Sequence, residues 1–150
     1  MSLPENSAQV AALYQEMILD HYRRPRNKGA LENADASVEM KNPLCGDEIA
    51  VQVAFDGDKV LDLKFSGRGC SISQASASMM TQLVKVKSSD EIQHIWKLFR
   101  ELMLGDANAA SDERLKSLRP LSGVARFPAR VKCALLAWNA LESALAQRTG

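Results

Sequence analysis

Asn42-Pro43-Leu44-Cys45-Gly46-Asp47-Glu48-Ile49-Ala50-Val51-Gln52-Val53-Ala54-Phe55-Asp56-Gly57-Asp58-Lys59-Val60-Leu61-Asp62-Leu63-Lys64-Phe65 is the stretch that decides the fold. From Glu48 to Phe55 it alternates, with Ile49, Val51, Val53 and Phe55 on one face, the two-residue period of a half-buried strand. Asp56-Gly57-Asp58 predicts a hairpin turn, because Asp-Gly is among the strongest short turn signals. Val60, Leu61, Leu63 and Phe65 continue into a second strand, and Val38-Glu39-Met40 upstream predicts a short first one. A small antiparallel three-stranded sheet results, and the loop that carries Cys45 and Asp47 leads directly into one of its strands.

Around this sheet the chain reads as helical. Val10, Leu13, Tyr14, Met17, Ile18 and Tyr22 recur at helical spacing from Gln9 onward, until Pro25 ends the run. Residues 1–8 are polar and predict a loose leader. Ile72, Ala75, Met79, Met80, Leu83 and Val84 form the stripe of a second helix, capped by Ser71 or Ser73. Ser88-Ser89-Asp90-Glu91 starts a third, running to about Leu104, with Ile92, Ile95, Trp96, Phe99, Leu102 and Met103 apolar. Asp106 to Ser122 predicts a long connection holding one short helix. Pro128 opens the last helix, whose core stripe is Val131, Leu135, Trp138, Leu141 and Leu145. The expected class is α+β, one domain over residues 1–150, with the sheet covered on one side by about five helices.

Composition narrows the function. At 150 residues, folding removes roughly 70% of the unfolded chain's surface from water, enough for a core without disulfides. Lys plus Arg is 19 against 18 Asp plus Glu, a net charge of +1, so nothing favours a nucleic-acid partner. No apolar run reaches membrane-spanning length, and the amino terminus does not resemble a signal peptide. A cytoplasmic location is expected, where reduced cysteines point to metal or redox chemistry. Arg23, Arg24, Arg26 and Lys28 read as a solvated helix end, with a docking patch for an acidic partner as the sharper alternative. His21 reads as a partly exposed histidine favoured by the helix dipole, and His94 as solvent-exposed.

Three cysteines remain, Cys45, Cys70 and Cys133. Their separations do not match the Cys-x2-Cys pairs of zinc ribbons. Their settings carry more. Cys45 sits in a Pro- and Gly-punctuated loop, and Asp47 beside it offers a hard oxygen. Cys70 stands at the start of a helix, where the dipole favours a thiolate. Cys133 lies off the core stripe of the last helix, on a narrow side with Ala137, Ala140 and Ala144, with Arg130 one turn before it. Three sulfurs and one oxygen suit tetrahedral Zn²⁺. The same set holds an iron–sulfur cluster as an alternative, and Asp47 is also readable as a turn former bonded to its own backbone.

Asn42-Pro43-Leu44-Cys45-Gly46-Asp47, Gly67-Arg68-Gly69-Cys70-Ser71-Ile72-Ser73 and Phe127-Pro128-Ala129-Arg130-Val131-Lys132-Cys133 together resemble the signature segments of the IscU/NifU/SufU family of iron–sulfur cluster assembly proteins. Asp20-His21-Tyr22 and Pro25-Arg26-Asn27 resemble that family's first helix and loop. Scaffold members of the family usually carry a histidine directly before the third cysteine, where this chain has Lys132. Their segment between the second and third cysteines is also shorter. Lys132 and the extra length at 106–122 resemble the SufU branch. The resemblance implies a zinc site of Cys45, Asp47, Cys70 and Cys133. It also implies a zinc-dependent sulfurtransferase that accepts persulfide sulfur from a cysteine desulfurase of the SufS type, with cluster scaffold proteins as possible downstream partners. Cys45, on the most mobile ligand loop, is the expected acceptor. Arg130 is expected to steady the thiolates or the persulfide, a surface salt bridge being its bland alternative. Two other functions use the same residues: a scaffold that binds a [2Fe–2S] cluster, and a structural zinc adaptor.

Overall fold

A computed structural model of the protein describes residues 7–148. The elements run α1 (Ser7–Arg23), β1 (Ala36–Asn42), β2 (Asp47–Asp56), β3 (Lys59–Arg68), α2 (Ser71–Val84), α3 (Ser89–Met103), two 3₁₀ runs at Ala107–Ser111 and Glu113–Arg126, and α4 (Pro128–Ala146). The strands form one antiparallel meander in the order β1-β2-β3. α4 packs on β1 and β2, and α2 packs on β3 and on α4. The expected α+β architecture is present. Of the eight residues read as a loose leader, 1–6 lie outside the described residues, while Ser7 and Ala8 belong to α1.

Period-two alternation builds the inner face of the sheet. Ile49, Val51 and Val53 of β2 are fully buried and pair with Met40, Val38 and Ala36 of β1. On the other side Val51 faces Phe65 and Val53 faces Leu63. A register shift at Ala54/Phe55 then makes Phe55 face Val60, so Leu61 is the extra residue and turns outward. One extra residue reverses the facing of everything beyond it, which is how Val60 and Leu63 both reach the core.

The helices depart from their sequence reading in three places. α3 is as expected: Ser88 and Glu91 form a reciprocal capping box, and all six stripe residues are buried. α4 is not. Cys133, Ala134, Ala137, Ala140 and Ala144 are core, while Val131 and Leu135 are only partly covered. α4 packs against both α2 and the sheet, and its alanines let the neighbouring backbones approach closely. The segment read as a long connection holding one short helix carries two 3₁₀ runs, and in the second of them Leu115, Leu118, Leu121 and Val124 are buried at every third position. That spacing is the repeat of a 3₁₀ helix, three residues per turn. α1 departs most. Leu13, Met17 and Tyr22 of its expected stripe are exposed, and Val10, Tyr14 and Ile18 are only half-buried.

Candidate metal centre

The alternation that fills the core also delivers the first two polar groups of the site. The inward series of β2, Val53, Val51 and Ile49, ends at Asp47, and that of β1 ends at Asn42. These two residues are the last pair of the β1–β2 ladder. Asp47 is 1% exposed. Between them the chain turns through Pro43, Leu44, Cys45 and Gly46. The Cys45 amide donates to the Asn42 carbonyl at 3.2 Å, and Gly46 takes φ +69°, a left-handed value that suits glycine. The turn holds half-buried Cys45 over Asp47 and leaves Leu44 80% exposed at its tip.

Cys70 arrives from the far side of the sheet. It is itself the N-cap of α2, in place of the expected Ser71 or Ser73, and its Sγ accepts from the Ser73 amide at 3.5 Å. Its own amide donates to Asp47 Oδ1 at 2.8 Å, and Cys70 Sγ lies 3.9 Å from Asp47 Oδ2. Asp47 is therefore no turn former bonded to its own backbone; its carboxylate ties the β1–β2 hairpin to the start of α2. Gly69 makes this approach feasible, because a Cβ there would run into Asp47 Oδ1 and come within 2.7 Å of Ser73 Oγ.

Cys133, in the second turn of α4, is fully buried. Its Sγ lies 3.2 Å from Cys45 Sγ and 3.9 Å from the Asn42 side-chain nitrogen. Burial first, then hydrogen bonding with Cys45 and Asp47 and the charge of Cys70, pushes the Cys133 thiol far above its ordinary range. The cause is physical: a second or third negative charge in this pocket is costly without a cation. Donor atoms of Cys45, Asp47 and Cys133 all lie within 4.8 Å of one another, close enough for one ion to touch all three. Cys70 stands outside that trio but borders it, with its Sγ 3.9 Å from Asp47 Oδ2 and acting directly on the Cys133 thiol.

Arg130, one turn before Cys133, is exposed, and its charged form is favoured by Cys70 first, by charge and hydrogen bond, then by Cys133 and Cys45. It forms no ion pair among the described residues. His94 is exposed as expected. His21 is partly exposed and in the last turn of α1, as expected, but its surroundings oppose the dipole's pull towards the charged form. It is half-buried, its Nδ1 lies 2.8 Å from Ser78 Oγ, and burial and then Arg26 lower its pKa against the pull of Asp20. The basic run is partly spent internally, since Arg26 pairs with Asp20 at 2.6 Å. Sequence reasoning missed the buried polar shell of Asn42 and Ser73; the parity of β1, extended to its end, would have found Asn42.

Comparison with known proteins gives a consistent result. Residues 13–149 match the NifU-like N-terminal domain. The chain is similar to the zinc-dependent sulfurtransferase SufU of Bacillus subtilis strain 168, 47% identical over 144 residues covering 96% of this chain and 97% of that protein. It is also similar to the iron–sulfur cluster assembly scaffold protein IscU of Streptococcus pyogenes serotype M1, 46% identical over 133 residues, 89% of this chain and 82% of that one. A solved structure from Fervidobacterium islandicum AW-1, named for a scaffold protein of the SUF system, superposes with a TM-score of 0.77 at 38% identity, covering 93% of this chain and 99% of that one. Among the described residues no helix is long and apolar enough to cross a membrane. With the fold, the three cysteine segments and these relatives in agreement, the chain belongs to the family of NifU-like N-terminal domains.

Proposed function

We propose that this chain is a zinc-dependent sulfur acceptor. It takes sulfur from the persulfide of a SufS-type cysteine desulfurase in the cytoplasm and passes it on for iron–sulfur cluster assembly. The observation that carries the reading is the Asp47 carboxylate, 1% exposed, without an ion pair among the described residues, and set among three cysteine sulfurs. A buried carboxylate beside thiols is costly to hold charged without a cation. The donor set, sulfur with one hard oxygen, fits Zn²⁺. Cys45, Asp47, Cys70 and Cys133 would hold it, and bound zinc keeps such thiols deprotonated near neutral pH.

The chain's own residues supply the rest. Cys45, on an exposed turn, is the residue a partner reaches first. Its thiolate attacks the outer sulfur of the donor persulfide, R–S–SH. The S–S bond of the donor breaks, a new bond forms to Cys45 Sγ, and the donor leaves as the thiolate R–S⁻. Arg130 stands beside these sulfurs as the cation that steadies the anions formed. Asp47 is bonded to the Cys70 amide and so stays in place while Cys45 reacts.

A cluster scaffold is the second reading, favoured by the relative from Streptococcus pyogenes that bears that name. Desulfurase turnover, followed as alanine release from cysteine, separates the readings. The protein should accelerate its desulfurase, and Cys45→Ala should remain folded and give no acceleration. A folded Cys45→Ala variant that accelerates as well as the parent would refute the acceptor role. An unfolded variant would favour a structural zinc module.

A further inference from the structure

Cys45 Sγ and Cys133 Sγ lie 3.2 Å apart, and both cysteines are free. Joining them takes a shift of about 1.2 Å, since a disulfide sets its sulfurs about 2.0 Å apart. The two differ in access. Cys133 is fully buried in α4, whereas Cys45 is half-buried on a turn whose tip, Leu44, is 80% exposed. An oxidant entering the site therefore meets Cys45 first and finds Cys133 behind it.

The fold leaves Cys45 room to move and fixes the other two cysteines. Gly46, beside Cys45, takes φ +69° and has no atom beyond its chain neighbours within 4 Å of where a Cβ would sit. Cys133 is held in the second turn of α4, its Sγ 3.8 Å from the Ala129 carbonyl. Cys70 is half-buried like Cys45. Its amide, however, is tied to Asp47 Oδ1, and its Sγ accepts from the Ser73 amide. Cys70 also lies outside the trio of Cys45, Asp47 and Cys133, whose donor atoms are within 4.8 Å of one another. Chemistry that needs two sulfurs in contact thus selects Cys45 and Cys133. An accessible thiolate beside a second, resolving cysteine is the arrangement of redox-sensing sites.

We propose that Cys45 and Cys133 form a peroxide-sensitive switch, in which Cys133 resolves oxidised Cys45 into a disulfide and so removes two sulfurs from the metal centre. In the first step the Cys45 thiolate attacks one oxygen of hydrogen peroxide. The O–O bond breaks, hydroxide leaves, and the sulfur, two electrons poorer, becomes a sulfenic acid, S–OH. Cys133 Sγ then attacks Cys45 Sγ. The S–S bond forms, the S–O bond breaks, and the Cys133 thiol proton leaves with the hydroxyl as water. Metal ligands are thiolates, so Asp47 and Cys70 remain as donors, fewer than a tetrahedral zinc site needs. The same step takes the acceptor sulfur out of use until a dithiol reopens the bond by exchange. Disulfide formation depends on the sulfur geometry alone; zinc release and loss of sulfur acceptance rest on the function proposed above.

The test maps thiols in the full chain. The protein as purified is treated with a small molar excess of hydrogen peroxide, remaining thiols are blocked with N-ethylmaleimide in denaturant, and tryptic peptides are weighed. Trypsin places Cys45, Cys70 and Cys133 in separate peptides, 42–59, 69–85 and 133–148. Peptides 42–59 and 133–148 should appear joined, two hydrogens lighter than their sum, with Cys70 carrying the blocking reagent. A chromophoric chelator should register the released zinc, and dithiothreitol should restore all three thiols. Cys133→Ser and the parent are then compared with zinc removed from both. The variant should carry Cys45 on to sulfinic acid, which dithiothreitol does not reverse, while the parent is recovered. A main product linking Cys45 to Cys70, or one chain to another, would overturn the proposal. So would a parent whose Cys45 goes to sulfinic acid beside a free Cys133, or one left with three unmodified thiols. A Cys45–Cys133 link formed without any zinc to release would support the switch and tell against the zinc reading instead.

Discussion

The amide of Cys70 donates to Asp47 Oδ1 at 2.8 Å, joining the start of α2 to the end of the β1–β2 hairpin across the sheet. One carboxylate thus has two tasks. It presents oxygen to the sulfurs, and it holds Cys70 beside them. Substitutions at and around Asp47 separate these tasks.

Asp47→Asn keeps an acceptor for the Cys70 amide and removes the charge. It should fold with nearly the parent's stability and bind zinc more weakly. Asp47→Ala also leaves the Cys70 amide without its partner, and should lose about 1–3 kcal/mol more. Urea unfolding of the metal-free proteins, with zinc competition against a chromophoric chelator, measures both. Equal stability for the Asn and Ala variants would show that the hydrogen bond contributes nothing.

Gly69→Ala tests the same junction from the other side. The added methyl would meet Asp47 Oδ1 and Ser73 Oγ, and overpacking of this kind costs about 1–3 kcal/mol. The variant should unfold at lower urea concentration and release zinc faster. Unchanged zinc release would mean that the hairpin and α2 can move apart freely.

Arg130→Ala should lower acceleration of the desulfurase by about tenfold or more, the scale of a lost electrostatic contact to a developing anion. Arg130→Lys should recover part of it, because the charge remains while the fork of donors is lost. Zinc content should be unchanged in both. An Arg130→Ala variant as active as the parent would leave only a surface role for this residue.

His21 gives a pH signature away from the sulfurs. Its pKa in the folded protein is lowered from the ordinary 6.5, so the unfolded chain binds a proton more readily. Stability from this residue is complete above the unfolded value and is lost as pH falls from about 6.5 towards the folded value. His21→Gln, able to keep a hydrogen bond to Ser78, should remove that part of the acid sensitivity. Unfolding curves of parent and variant at pH 7.5 and 5.5 test it; equal losses in both would assign the acid sensitivity elsewhere.

The sheet and α3 were legible because their signals are local. Period two in β2 and the Ser88–Glu91 capping box depend on few neighbours. Leu61 was not legible, since a bulge is a property of a pair of strands. α4 was misread because a helix enclosed on two sides has no single stripe, and its alanines look like a polar-side filler until α2 and the sheet are placed around them. The 3₁₀ run was hidden by its period, for Leu115, Leu118, Leu121 and Val124 repeat every three residues. The cysteine segments pointed to the site, but its geometry needed the fold. The buried state of Asp47 follows from the parity of β2, whereas its bond to Cys70 required knowing where β3 ends.

The most direct test of the account is the composition of the protein as purified from cells, counted as zinc, iron and acid-labile sulfide per chain. The account predicts one zinc per chain and no sulfide, with zinc lost from variants of Cys70 and Cys133. Iron with matching sulfide, in place of zinc, would contradict it and make the chain a cluster scaffold.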